Sequence, residues 1–130
     1  MKESLTFAGE AAALALVRAR LREFLSVVGF GEQEAERIVL AIDEACTNII
    51  RHAHQGEVKP VWLGMERHTE RVIFVLQDRG APCDPDRIQG RSLEEVRPGG
   101  LGVHIIREVF DVVEYTPLDE GTQLRLEKRL

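Results

Sequence analysis

The chain has 130 residues, enough for one domain with its own core, and an ordinary globular composition of 44% hydrophobic, 5% aromatic and 30% charged residues. Its formal net charge of -5 argues against a nucleic-acid binder, which would present a basic face, and no apolar run approaches the roughly 20 residues that cross a bilayer. The two cysteines, Cys46 and Cys83, form no CxxC pair and no secretory leader precedes them, so the expectation is a cytoplasmic protein with reduced thiols and neither membrane nor direct nucleic-acid partners.

Ser4 to Ala8 alternates, with Leu5 and Phe7 on one side, and reads as an edge strand. Glu10 to Val28 reads as a first helix that buries Leu14, Val17, Leu21, Phe24, Leu25 and Val28. Gly29-Phe30-Gly31 stops it, because glycine supplies the left-handed cap. Glu34 to His54 is the longest helical pattern. Ile38, Ile42, Ala45 and Ile49 recur at helical spacing, and Val39, Cys46, Ile50 and Ala53 widen the stripe. These two helices are expected to pack as an antiparallel pair.

Val58 to Glu66 is a looser strand, with Pro60 at its start or at a sheet edge. Arg71 to Gln77 is apolar on both faces and suits a central strand. Asp78 to Pro85 is a loop by its Gly and Pro content, with one helical turn expected at Pro85 to Ile88. Gln89 to Pro98 has no strong periodicity. Gly99-Gly100-Leu101-Gly102 then opens a third helix, Val103 to Phe110. Val112 to Thr116 and Thr122 to Lys128 close the chain as strands around an Asp119-Glu120-Gly121 turn. This order predicts a two-layer α+β sandwich, with helices covering one face of a mixed, mostly antiparallel sheet.

Three features can carry chemistry. Glu44 and Asn48 lie four apart, so they are neighbours on one helix face. Asn is a poor helix-interior residue, since its amide competes for backbone hydrogen bonds. Asp78-Arg79-Gly80 stands at a strand end, where a carboxylate either makes a turn or accepts from a buried amine. The glycines from Gly99 to Gly102 either form a hinge or let helix N-terminal amides approach a phosphate. Each feature alone has an ordinary structural explanation. Cys46 lies on the apolar stripe and reads as core. His52 and His54 do not share a helix face, so they make no zinc pair. Trp62 is expected to pack on its strand.

In this order and fold pattern the three features resemble the nucleotide-binding boxes of the GHKL ATPase superfamily. Within it the chain is similar to the small anti-sigma-factor serine/threonine kinases of the RsbW and SpoIIAB type. IDEACTNIIRHAH resembles the N-box helix, DRGAPCDPD the first glycine box and GGLGVHIIREVFDVVEY the second. GTQLRLEKRL resembles the closing strand. Pro82 stands where many relatives carry the second glycine of the first box, a variation familiar in the anti-sigma subgroup. No histidine-bearing dimerisation helix precedes the domain, which favours a stand-alone kinase over a sensor fragment.

The resemblance implies one Bergerat-fold domain over residues 1–130 with an ATP lid at about 89–98, and a Bergerat (GHKL ATPase) sheet beneath its helices. It implies ATP and Mg²⁺ as ligands. Asn48 would hold Mg²⁺ through the phosphates, and Glu44 would be the general base on a Ser or Thr hydroxyl. Asp78 would accept from the adenine amine, with Thr122 supporting it and Gly80 beneath the ring. The backbone of Gly99, Gly100, Leu101 and Gly102 would meet the phosphates, and Arg97, with Arg91 as its rival, would reach the γ-phosphate. The implied partners are a sigma factor, a STAS-domain anti-anti-sigma factor as protein substrate, and a second copy in a homodimer. The competing reading is a nucleotide-binding partner switch without kinase activity.

Overall fold

The computed structural model describes residues 1–53, 57–80 and 100–130. The chain order is β1 (Lys2–Ala8), a 3-10 turn (Ala11–Ala13), α1 (Leu14–Val28), α2 (Glu32–Asn48), a π turn (Ile49–Ala53), β2 (Pro60–Arg67), β3 (Arg71–Gln77), α3 (Gly100–Val109), β4 (Val112–Pro117) and β5 (Thr122–Arg129). The expected helical turn at Pro85 to Ile88, the segment 89–98 with Arg91 and Arg97, Gly99, Pro82, Cys83 and His54 lie outside the described residues.

The strands form one sheet in the order β1-β2-β3-β5-β4. All four pairings are antiparallel, so the described sheet has no parallel pair. β1 is an edge strand and β3 lies at the centre, as their patterns suggest. Pro60 opens β2 inside the sheet, where its missing N–H falls at a strand start.

Alternation then divides the sheet. Phe7, Val61, Leu63, Met65, Val72, Phe74, Leu76, Leu124 and Leu126 point to one face and are buried under the helices. Phe74 sits at the middle of that face. Phe24 of α1 and Phe110, just past α3, both meet its ring edge-on at 5.9 Å. One strand residue therefore packs against two parts of the helical layer. On the other face Trp62 lies over Gly64, where a Cβ would come within 2.5 Å of the indole Cη2. The tryptophan packs, as its position on a strand suggests.

α1 ends where Gly29 turns left-handed, at φ 106°. Gly29 N–H bonds to the Ser26 carbonyl and Phe30 N–H to the Leu25 carbonyl, each at 3.1 Å. This is the Schellman pattern, and Phe30 packs against the core beyond it. The stop allows α2 to return beside α1. Arg18 to Asp43 at 2.7 Å and Arg22 to Glu36 at 2.8 Å bridge the two helices. α2 packs against both α1 and α3.

Several boundaries move by one to three residues, the third helix running Gly100–Val109 instead of Val103 to Phe110, and at two places the winding itself differs from expectation. Ala11–Ala13 forms a 3-10 turn, so the first α-helix begins at Leu14. The second α-helix ends at Asn48 and widens into the π turn. There the Thr47 hydroxyl bonds back to the Asp43 carbonyl at 2.9 Å, and the Ile49 N–H is shared between the Ala45 and Cys46 carbonyls.

Candidate functional site

The antiparallel register of β3 and β5 pairs Gln77 with Gln123 and so sets Asp78 opposite Thr122. The Asp78 N–H donates to the Thr122 carbonyl at 3.1 Å. Both side chains lie on the helix-facing side, at 4% and 7% exposure, in an otherwise apolar interior. A buried carboxylate is costly unless it is hydrogen-bonded. Asp78 Oδ1 accepts from the Gly80 N–H at 2.8 Å, which folds the chain past the acid in an Asx turn. The structure thus brings Asp78, Gly80 and Thr122 together at one sheet end.

Gly121 completes that end, and the sequence reading credits it only with a turn. Its φ is 95°, and a Cβ on it would stand 2.6 Å from the Asp78 carbonyl carbon and 2.8 Å from Arg79 Cα. The β4–β5 turn can therefore lie against the Asp78 backbone only with glycine at this place. The signal in the sequence was the Gly beside Thr122. What it touches is distant along the chain.

The second group sits on α2. Glu44 and Asn48 are one turn apart, each half-buried. The Asn48 Oδ1 atom is buried and has no hydrogen-bond partner among the described residues. A carboxamide oxygen in that state suits a donor or a hard cation, since leaving it unmatched costs about 1–3 kcal/mol. α2 packs against α3, which begins at Gly100, so Gly100, Leu101 and Gly102 form the first turn of the neighbouring helix. Gly99 and Arg97 lie outside the described residues.

Cys46, two residues past Glu44, is 1% exposed on the apolar stripe. Burial pushes its thiol up to about 12, and the Asp43 charge adds to the shift. It is a core side chain with no nucleophilic character at neutral pH.

Two hollows border the described residues. One of about 1360 Å³ lies at the β2–β3 turn, lined by Arg67, His68, Arg71 and Arg129 among others, and shares no residue with either group. The other, of about 460 Å³, touches Asp78 together with Trp62, Gln77, Arg79 and Glu120. The smaller one adjoins the strand-end group from the sheet face that carries Thr6, Trp62 and Gln77.

The model of the histidine kinase-like ATPase domain family matches residues 7–128. A serine-protein kinase RsbW of Bacillus cereus is 24% identical over 123 residues, covering 88% of this chain and 76% of that protein. The RsbW of Bacillus thuringiensis subsp. konkukian is similar to the same extent. Among solved structures, the RsbU and RsbW domains of a Mycobacterium tuberculosis protein align over all of this chain and 32% of that one, at 21% identity and a TM-score of 0.75. This chain thus spans about a third of that longer protein. The SiaB–SiaC complex of Pseudomonas aeruginosa gives a TM-score of 0.63 at 17% identity, covering 97% of this chain and 88% of that one. At such identities the solved structures establish the fold alone.

Proposed function

The chain belongs to the histidine kinase-like ATPase domain family, and we propose that it is an ATP-dependent protein serine/threonine kinase that also acts as an anti-sigma factor. Its substrate in this reading is a STAS-domain anti-anti-sigma protein, and its sequestered partner is a sigma factor. The similarity to proteins named serine-protein kinase RsbW supports that direction. The observation that carries it is the buried, unmatched Asn48 Oδ1, one helical turn beyond Glu44.

In this reading residues 1–130 are one domain, in the cytoplasm as a homodimer, with segment 89–98 as the ATP lid. Asp78 accepts from the adenine amine, supported by Thr122, and Gly80 lets the backbone pass beneath the ring. A base without that donor forfeits this contact, which sets the preference for adenine. The backbone of Gly99, Gly100, Leu101 and Gly102, at the start of α3, holds the phosphates by amides and helix dipole. Arg97 neutralises charge at the γ-phosphate. The donor set fits Mg²⁺, with Asn48 Oδ1 as one hard oxygen ligand. Among the described residues no group of three His, Cys, Asp or Glu side chains is arranged to hold a metal, so phosphate oxygens and water would supply the other ligands. When bound, the ion supplies charge neutralisation on the phosphates.

Glu44 takes the proton of the substrate hydroxyl as its oxygen bonds to the γ-phosphorus and the bond to the β–γ bridging oxygen breaks. The phosphoryl group moves to Ser or Thr and ADP leaves. The test is incubation with radiolabelled ATP and STAS-domain proteins from the same organism. Label on a serine or threonine, lost in Glu44→Gln, supports the kinase. Tight ATP binding with no label on any partner makes the chain a nucleotide-binding partner switch instead.

A further inference from the structure

α2 carries one exposed leucine on the same helix face as Glu44 and Asn48. Leu40 is 50% exposed, whereas Ile38, Val39 and Ile42 of the same helix are buried. At 3.6 residues per turn, Leu40 faces outward between two flanks. The flank toward α1 is closed by ion pairs, Arg18 with Asp43 and Arg22 with Glu36. The other flank carries Arg37 and Glu44, and Arg37 has no ion pair among the described residues. Leu40, Glu44 and Asn48 are each four apart, so they form a row along the helix. Successive members are separated by about 6 Å of rise.

We infer that Leu40 is the docking contact for the phosphoacceptor segment of the protein substrate, and that it takes an apolar side chain two residues from the acceptor Ser or Thr. The inference rests on the kinase reading above. An extended segment advances about 3.3 Å per residue, and alternate side chains share a face. Residues two apart are thus about 6.6 Å apart on one side, which matches the Leu40–Glu44 step. A hydroxyl presented to Glu44 sets the second residue before or after it over Leu40. Beyond Leu40, Arg37, which has no ion pair among the described residues, favours an acidic group further along the same segment. Leu40 is half-exposed and adds little to the core, so its side chain is free to meet a partner one turn from Glu44.

The experiment compares wild type, Leu40→Asp and Leu40→Met with the STAS-domain protein that the wild type labels, with ATP affinity measured alongside. KM for the protein substrate rises about tenfold in Leu40→Asp, while kcat, ATP affinity and melting temperature stay at wild-type values. Leu40→Met restores the wild-type KM. Changing the apolar residue two positions from the labelled serine to Asp raises KM alike, and Leu40→Asp then adds nothing further. An unchanged KM in Leu40→Asp, or an equal loss of ATP affinity, overturns the docking role and leaves the kinase standing. Failure of the wild type to label any STAS-domain protein overturns the kinase reading, and the docking role with it.

Discussion

The Gly121 backbone lies so close to Asp78 that a Cβ there would stand 2.6 Å from the Asp78 carbonyl carbon. Gly121 also holds φ at 95°. Gly121→Ala therefore meets both a left-handed backbone penalty and a collision with main chain, for a loss of about 2–4 kcal/mol. Gly29 is the internal control. Its φ is 106° but nothing lies within 4 Å of a Cβ there, so Gly29→Ala loses only about 1 kcal/mol. Urea unfolding of both variants checks the difference, and equal losses would contradict the close contact.

Phe74 is fully buried between Phe24 and Phe110. Phe74→Ala opens a cavity beneath both helical contacts and costs about 3–5 kcal/mol. Phe74→Leu loses less, because most of the volume stays. Chemical denaturation measures both, and a loss under 1 kcal/mol for Phe74→Ala would show that the helical layer does not depend on this ring.

Glu44 and Asp78 have separable roles in the proposal. Glu44→Gln keeps ATP binding and loses phosphoryl transfer by about 10²–10⁴-fold, the range for a general base. Single-turnover transfer beside a nucleotide titration checks the split. An equal loss of ATP affinity would remove Glu44 from the proton-transfer role.

The hydrogen bond from Arg22 holds the Glu36 carboxyl below its ordinary range. A depressed carboxyl stabilises the fold above its unfolded pKa, and that contribution disappears as pH falls through the folded value. Both groups are exposed, so the effect is small. In an NMR titration Arg22→Gln brings the Glu36 midpoint back up, and the stability gap between the two proteins narrows as pH falls into the acid range. An unmoved midpoint would contradict the pairing.

The sequence was most legible where local rules act alone. Arg71 to Gln77 is a strand from end to end because its two apolar faces fit a central place, and Gly29 stops the first helix because only it turns left-handed without strain. Helical arithmetic also placed Glu44 beside Asn48. The end of α2 was less legible, since an apolar stripe does not distinguish an α-helix from the π turn at Ile49–Ala53. The 3-10 turn at Ala11–Ala13 escaped for the same reason: alanine suits either winding. The strand-end group depended on register. Asp78 meets Thr122 only after β3 and β5 pair, and the contact between Gly121 and Asp78 follows from that pairing. That the buried Asn48 Oδ1 has no hydrogen-bond partner among the described residues likewise becomes visible only once its surroundings are built.

Calorimetric titration of ATP with Mg²⁺ into the wild type and Asp78→Asn tests the central claim most directly. Losing one charge-assisted hydrogen bond in a buried site weakens binding by roughly 100-fold, so the account predicts saturable one-to-one binding to the wild type and that loss in the variant, with unchanged circular dichroism. Equal affinity in the two proteins, or no binding to the folded wild type, would contradict it.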